Sequence, residues 1–221
     1  MSSFDELSPE EQLDRIARLA KNALGHYDLP GDAGVSMINF SENITYRVDA
    51  PSTGGRWALR VHREDYHTRG GIGSELAWMK ALREEAGVPT PIAIPGTDGG
   101  LIQDGSAEGV PRPRHCVLFD WLPGREPDES GDLMAPFRQL GEISGRMHEH
   151  SKGWTLPEGF ERLIWDYDHM LGDAPNWGRW QDGMAMDGER IALLERLSAA
   201  IDRRLDAFGR DPSRYGVIHA D

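Results

Sequence analysis

Apolar residues recur every three or four positions near the start of the chain, where Leu13, Ile16, Ala20 and Leu24 share one side. That spacing predicts an amphipathic helix. Its start is written in Ser8-Pro9-Glu10-Glu11, which supplies a capping serine, a proline at the first helical position and a glutamate at the third. After Pro30 to Gly34 the period falls from 3.6 to 2. Val35 to Phe40, Asn43 to Asp49 and Arg56 to His62 read as strands, and Pro51-Ser52-Thr53-Gly54-Gly55 turns the second into the third. The sheet is therefore antiparallel and does not open a dinucleotide-binding unit.

The third strand places Trp57, Leu59 and Val61 on one face and Ala58, Arg60 and His62 on the other. Ile72 to Ala86 predicts a second helix whose apolar side carries Ile72, Met79 and Leu82, with Glu75 on the same stripe. A carboxylate turned toward a core needs a partner, because burying it alone is costly. Arg60, on the preceding strand, is the economical one. The pattern fits a plain structural salt bridge as well as a pair that positions a phosphate. Phe40-Ser41-Glu42-Asn43-Ile44 is similarly open: it reads as a hairpin turn, or as a turn whose amides converge on an anion.

Val88-Pro89-Thr90-Pro91 resists a helix and leads into an extended Ile92 to Ile94. Asp98-Gly99-Gly100 predicts a hairpin turn before Leu101 to Gln103, Glu108 to Arg114 a surface loop, and His115 to Phe119 a further strand. The exit from that strand, Asp120-Trp121-Leu122-Pro123-Gly124, predicts a rigid hinge. From Asp132 the alphabet becomes helical. Phe137, Leu140, Ser144, Met147 and His148 mark one helix, and Ile191, Leu194, Leu197, Ile201, Leu205 and Phe208 mark a longer one, capped by Asp187 and closed by Gly209 and Pro212. Trp165, Trp177 and Trp180 read as packing aromatics. The fold class is α+β: a helical segment over 1–30, a β-rich lobe over 31–119, a hinge at 120–124 and a helical lobe over 125–221.

Charge narrows the partners. With 37 acidic and 24 basic residues the formal net charge is -13, and no local basic patch interrupts it, so neither nucleic acid nor a membrane surface is an expected partner. One cysteine excludes an internal disulfide, and Cys116, in an apolar run, reads as a buried thiol. No apolar run is long enough for a signal peptide or membrane span, so the sequence reads as cytoplasmic. His148 and His150 lack companions at metal-ligand spacing and read as packing residues, leaving no metal site within the chain. The oligomeric state stays open.

Taken in order, these segments resemble the aminoglycoside phosphotransferase and choline kinase superfamily, which shares the protein-kinase-like fold. Phe40-Ser41-Glu42-Asn43 resembles its nucleotide loop, and Trp57-Ala58-Leu59-Arg60-Val61 its phosphate-contacting strand. Val117 to Gly124 resembles its adenine-binding linker, Leu140 to His148 the helix before its active site, and Ile218-His219-Ala220-Asp221 the start of its catalytic loop. The resemblance implies nucleotide contacts from Ser41, Glu42, Asn43 and Arg60, with Glu75 as the helix partner of Arg60. It also implies that backbone groups around Phe119, Asp120, Trp121 and Leu122 face the base, that Asp221 is the catalytic base and that His219 braces its loop. Arg60 stands where protein kinases carry lysine, and its rigid fork is not geometrically equivalent.

The implied reaction is transfer of the ATP γ-phosphoryl group to the hydroxyl of a small molecule, with Mg2+ as the expected companion of ATP in the complete protein. In a complete family member the catalytic-loop asparagine and the second metal-binding aspartate follow the position of Asp221. The resemblance therefore implies a fragment with little or no turnover in this 221-residue chain. The alternative is a noncatalytic nucleotide-binding or interaction module with the same fold.

Overall fold

The computed structural model describes residues 4–124 and 131–219. The chain divides into two compact units, one formed by residues 1–143 with 156–161 and the other by 144–155 with 162–221.

In the first unit, helix α1 (Pro9–Ala23) begins with the reciprocal cap expected of its sequence. The Ser8 amide donates to Glu11 Oε2 at 2.9 Å, and the Glu11 amide donates to Ser8 Oγ at 3.3 Å. Strands β1 (Gly34–Phe40), β2 (Ile44–Ala50) and β3 (Gly55–Val61) form an antiparallel run in which Arg60 faces Thr45. Helix α2 (Arg69–Glu85) follows, starting earlier than its apolar stripe suggests, because Thr68 Oγ1 accepts the Gly71 amide at 2.9 Å and caps it.

The sheet is completed by β4 (Ala93–Ile94), β5 (Gln103–Gly105) and β6 (Arg114–Asp120). Its order is β1-β2-β3-β6-β4, with β5 also on β6. β4 and β5 pair with β6, not with each other, so the turn at Asp98-Gly99-Gly100 does not close a hairpin as the sequence predicts. The turn is held by a side chain instead: Gln103 Nε2 donates to Asp98 Oδ1 at 2.7 Å and to the Gly100 carbonyl at 2.9 Å. The strand thus starts at Gln103, where the sequence pattern predicts its end.

Two cores lie on the two faces of this sheet. Ile16, Leu19, Ala20 and Ala23 of α1 pack on Tyr46, Val48, Leu59, Val61, Cys116 and Leu118. Ile72 and Leu76 of α2 pack with Ile102, Val117 and Phe119, against which Ala58 and Met79 also rest. Alternation along β3 and β6 assigns each residue to its face, so Arg60 falls on the side of α2. On α2, Ser74 Oγ donates to the Gly70 carbonyl at 2.9 Å and accepts the Glu161 amide at 2.8 Å, fastening the 156–161 segment to the helix.

Helix α3 (Met134–Gly153) follows. In the second unit, α4 (Tyr167–Leu171) and α5 (Gly188–Phe208) are capped by Asp166 and Asp187, whose Oδ1 atoms accept the amides of His169 and Arg190. The Tyr167 hydroxyl meets Ser198 Oγ at 2.7 Å, and Arg210 meets Asp166 at 3.0 Å. Ile191, Leu194 and Ile201 of the α5 stripe are half-buried, while Leu197, Leu205 and Phe208 are exposed. Among the described residues no helix is long and apolar enough to cross a membrane.

Candidate functional site

The strand-to-helix pairing anticipated from the sequence is present. Arg60 Nη1 donates to Glu75 Oε1 at 2.7 Å, with 29% and 23% of the two side chains exposed. That partial burial removes much of the water that weakens surface pairs, and a charge-assisted bond of this length is among the stronger kinds. A third group completes the seat: the Arg60 guanidinium lies 5.1 Å from the centroid of the Phe119 ring. Phe119 sits opposite Ala58 in the β3–β6 register, two positions from Arg60, which lets the cation reach over the aromatic face. The sequence reading took only the backbone of Phe119 as functional. The parity of β6 was the available signal for its side chain, since Val117 and Phe119 must share the face of α2.

His62 continues the face of Arg60. It is 3% exposed, and neither ring nitrogen has a hydrogen-bond partner. Burial, and then the nearby Arg60 charge, push its pKa down to about 4, so the ring is neutral near pH 7.

Ser41, Glu42 and Asn43 form the turn between β1 and β2. The Ser41 amide donates to the Asn43 carbonyl at 3.0 Å, and Asn43 Oδ1 accepts the Arg63 amide at 3.2 Å. The turn is thereby tied to the end of the strand that carries Arg60. Ser41 and Glu42 are exposed, as is Phe40.

At the exit of β6, Asp120 and Ile92 exchange two bonds: the Asp120 amide donates to the Ile92 carbonyl at 2.9 Å, and Asp120 Oδ1 accepts the Ile92 amide at 2.6 Å. The Arg56 guanidinium lies 5.5 Å from the Trp121 ring. Asp120 and Trp121 are therefore anchored through their side chains, and Leu122 is exposed. His219 lies in the second unit and is exposed. Asp221 lies outside the described residues. Among the described residues no group of three His, Cys, Asp or Glu side chains is placed to hold a metal ion.

An antiparallel sheet whose third strand carries a cation, paired with a carboxylate on the following helix, is a kinase-like architecture. The chain belongs to the phosphotransferase enzyme family, whose model matches residues 40–221. It is similar to the microcompartment-associated aminopropanol kinase at 43% identity, with a TM-score of 0.80 over 92% of this chain and 62% of that one. The chain thus spans less than two thirds of that kinase's length. Its fold is also that of the amicoumacin kinase hAmiN in complex with AMP-PNP, Ca2+ and Ami, at 19% identity and a TM-score of 0.70 over 97% of this chain and 61% of that one. No curated protein matches the chain.

Proposed function

We propose that these residues form the nucleotide-binding part of an ATP-dependent phosphotransferase whose acceptor is the hydroxyl of a small amino alcohol. The observation that carries this reading is the Arg60–Glu75 pair seated on Phe119, a fixed cation on the sheet beside a turn that is tied to the same strand. The acceptor class rests on the 43% identical kinase, whose name gives aminopropanol. The net charge of -13 suits a cationic acceptor.

In this reading Glu75 holds Arg60 in one rotamer, and Arg60 places its remaining donors toward the ATP phosphates. The Ser41-Glu42-Asn43 turn covers them, and the backbone of Phe119 to Leu122 faces the base. The bond between the γ-phosphorus and the β,γ-bridging oxygen breaks as the acceptor oxygen bonds to the γ-phosphorus. The hydroxyl proton passes to Asp221, and ADP leaves. Mg2+ would neutralise charge developing on the phosphate oxygens, and the described residues hold no ligand set for it.

Nucleotide binding is proposed for this chain and transfer for a protein of the relative's full length. Calorimetric titration of ATP into the chain, and into Arg60→Ala, tests the first. Saturable binding that the substitution weakens by about tenfold supports it, and equal affinity in both refutes the role of Arg60. ADP release dependent on aminopropanol tests the second, with Asp221→Asn expected to lower turnover by about 10²–10⁴-fold. Binding without transfer by the full-length protein would favour a noncatalytic module.

A further inference from the structure

Arg60 has a counterpart on its own strand. Arg56 lies on the same face of β3, with Ala58 between them, about 13 Å away along the strand. Its Nε donates to Asp49 Oδ1 at 2.7 Å, and its guanidinium lies 5.5 Å from the centroid of the Trp121 ring. Each arginine thus has a carboxylate partner and an aromatic ring from β6 or its exit. Strand register builds the second set. Asp49 stands directly opposite Arg56 in the β2–β3 ladder, and Trp57 with Asp120 closes the β3–β6 ladder, so Trp121 falls opposite Arg56 one step beyond it. Asp49 is itself held by a second cation, since Arg47 Nε donates to its Oδ2 at 2.6 Å. On the other side, Asp120 Oδ1 accepts the Ile92 amide. Two consecutive residues at the exit of β6 are therefore fastened to different elements, Trp121 to the β2–β3 hairpin and Asp120 to the residue before β4.

We propose that Arg56 is a positioning residue for recognition of the nucleotide base: seated on Asp49, it holds Trp121 and the backbone of residues 119–122, and thereby favours adenine over guanine. This rests on the function proposed above, in which that backbone faces the base. Adenine presents an amino donor where guanine presents a carbonyl acceptor. A backbone group kept in one place tells the two apart, whereas one free to turn satisfies either. Holding the segment also lowers the ordering cost that the base meets on binding. The Arg56 side chain is 49% exposed, and a cation over a ring at such a site changes an equilibrium by several-fold.

Calorimetric titration of ATP and of GTP into the chain and its variants is the test. The parent should bind ATP at least about tenfold more tightly than GTP. Arg56→Gln leaves Asp49 paired with Arg47 and should lower that ratio about three- to fivefold, mainly through weaker ATP binding. Trp121→Leu should lower it as much, and the double variant no further. Arg56→Lys, which keeps a cation over the ring, should restore most of it. In the 15N-labelled chain without nucleotide, Arg56→Gln should shift the amides of residues 120–122. Shifts confined to residues 47–57, equal loss of ATP and GTP affinity, or a ratio unchanged in Arg56→Gln and Trp121→Leu would each overturn the role of Arg56. ATP binding that persists with any of these results leaves the nucleotide reading standing. A parent chain that binds neither nucleotide overturns both.

Discussion

Arg60 and Glu75 meet at 2.7 Å although they stand fifteen positions apart in sequence, and Phe119 from a third element lies 5.1 Å from the guanidinium. The pair therefore locks α2 to the sheet at the point proposed to face the phosphates. Glu75→Gln keeps the shape and removes the charge. Its expected effects are a stability loss of about 1–2 kcal/mol and an ATP affinity at least about fivefold lower. Arg60→Lys restores the charge without the fork, so it should recover part of the affinity and less of the stability. Urea unfolding and calorimetry check both, and a Glu75→Gln variant indistinguishable from the parent would reduce the pair to decoration.

The α1 core tolerates no added volume at Gly105. A Cβ there would stand 2.8 Å from Leu19 Cδ2, 3.0 Å from Cys116 Sγ and 3.1 Å from Ala23 Cβ, all of them buried groups. Gly105→Ala should lower stability by roughly 1–3 kcal/mol while leaving the α2 face untouched. Thermal unfolding would show the loss, and unchanged stability would mean that α1 can shift outward freely.

His62 makes stability depend on pH. Its folded pKa of about 4 lies below the ordinary value near 6.5, so the unfolded chain binds the proton more readily in that window. Stability from the neutral ring is complete above about pH 6.5, is lost as pH falls toward 4, and levels off below that. Arg60, His67 and His115 disfavour its protonation, and Glu75 favours it. Denaturation at pH 7.5 and pH 5 should differ by roughly 2 kcal/mol more for the parent than for His62→Gln, and equal differences would count against burial as the cause.

Cys116 should be silent to thiol reagents in the folded state. It is fully buried, and burial pushes its pKa up to about 12. Iodoacetamide at pH 8 should label it only as fast as the chain opens, with labelling rising sharply in denaturant. Rapid modification under native conditions would mean that the two faces of β6 open locally.

Much of this was legible because short-range rules set it. The α1 cap, the alternation that turns Arg60 toward Glu75, and the Asp187 and Gly209 limits of α5 are each decided within a few residues. Other features escaped because their causes are distant. The first turn of α2 holds Gly70 and Gly71, poor helix formers, and is stabilised by Thr68 and by the 156–161 segment through Ser74. β5 begins at Gln103 because that side chain must first hold the preceding turn. The Phe119 ring could be placed beside Arg60 only once β3 and β6 were known to be neighbours. The exposure of Leu197, Leu205 and Phe208 is likewise a property of neighbours, and periodicity does not report it.

β6 serves as the phase reference of the sheet. It pairs with β3, β4 and β5, and its even-numbered Cys116 and Leu118 pack toward α1 while Val117 and Phe119 pack toward α2. Adding or removing one residue within Arg114–Asp120 would exchange those sets, sending the thiol toward Arg60 and the phenyl ring into the opposite core. A change of length can be accommodated in the loops on either side without that exchange. The strand that does not itself carry Arg60 is the one that holds Arg60 in register with α2.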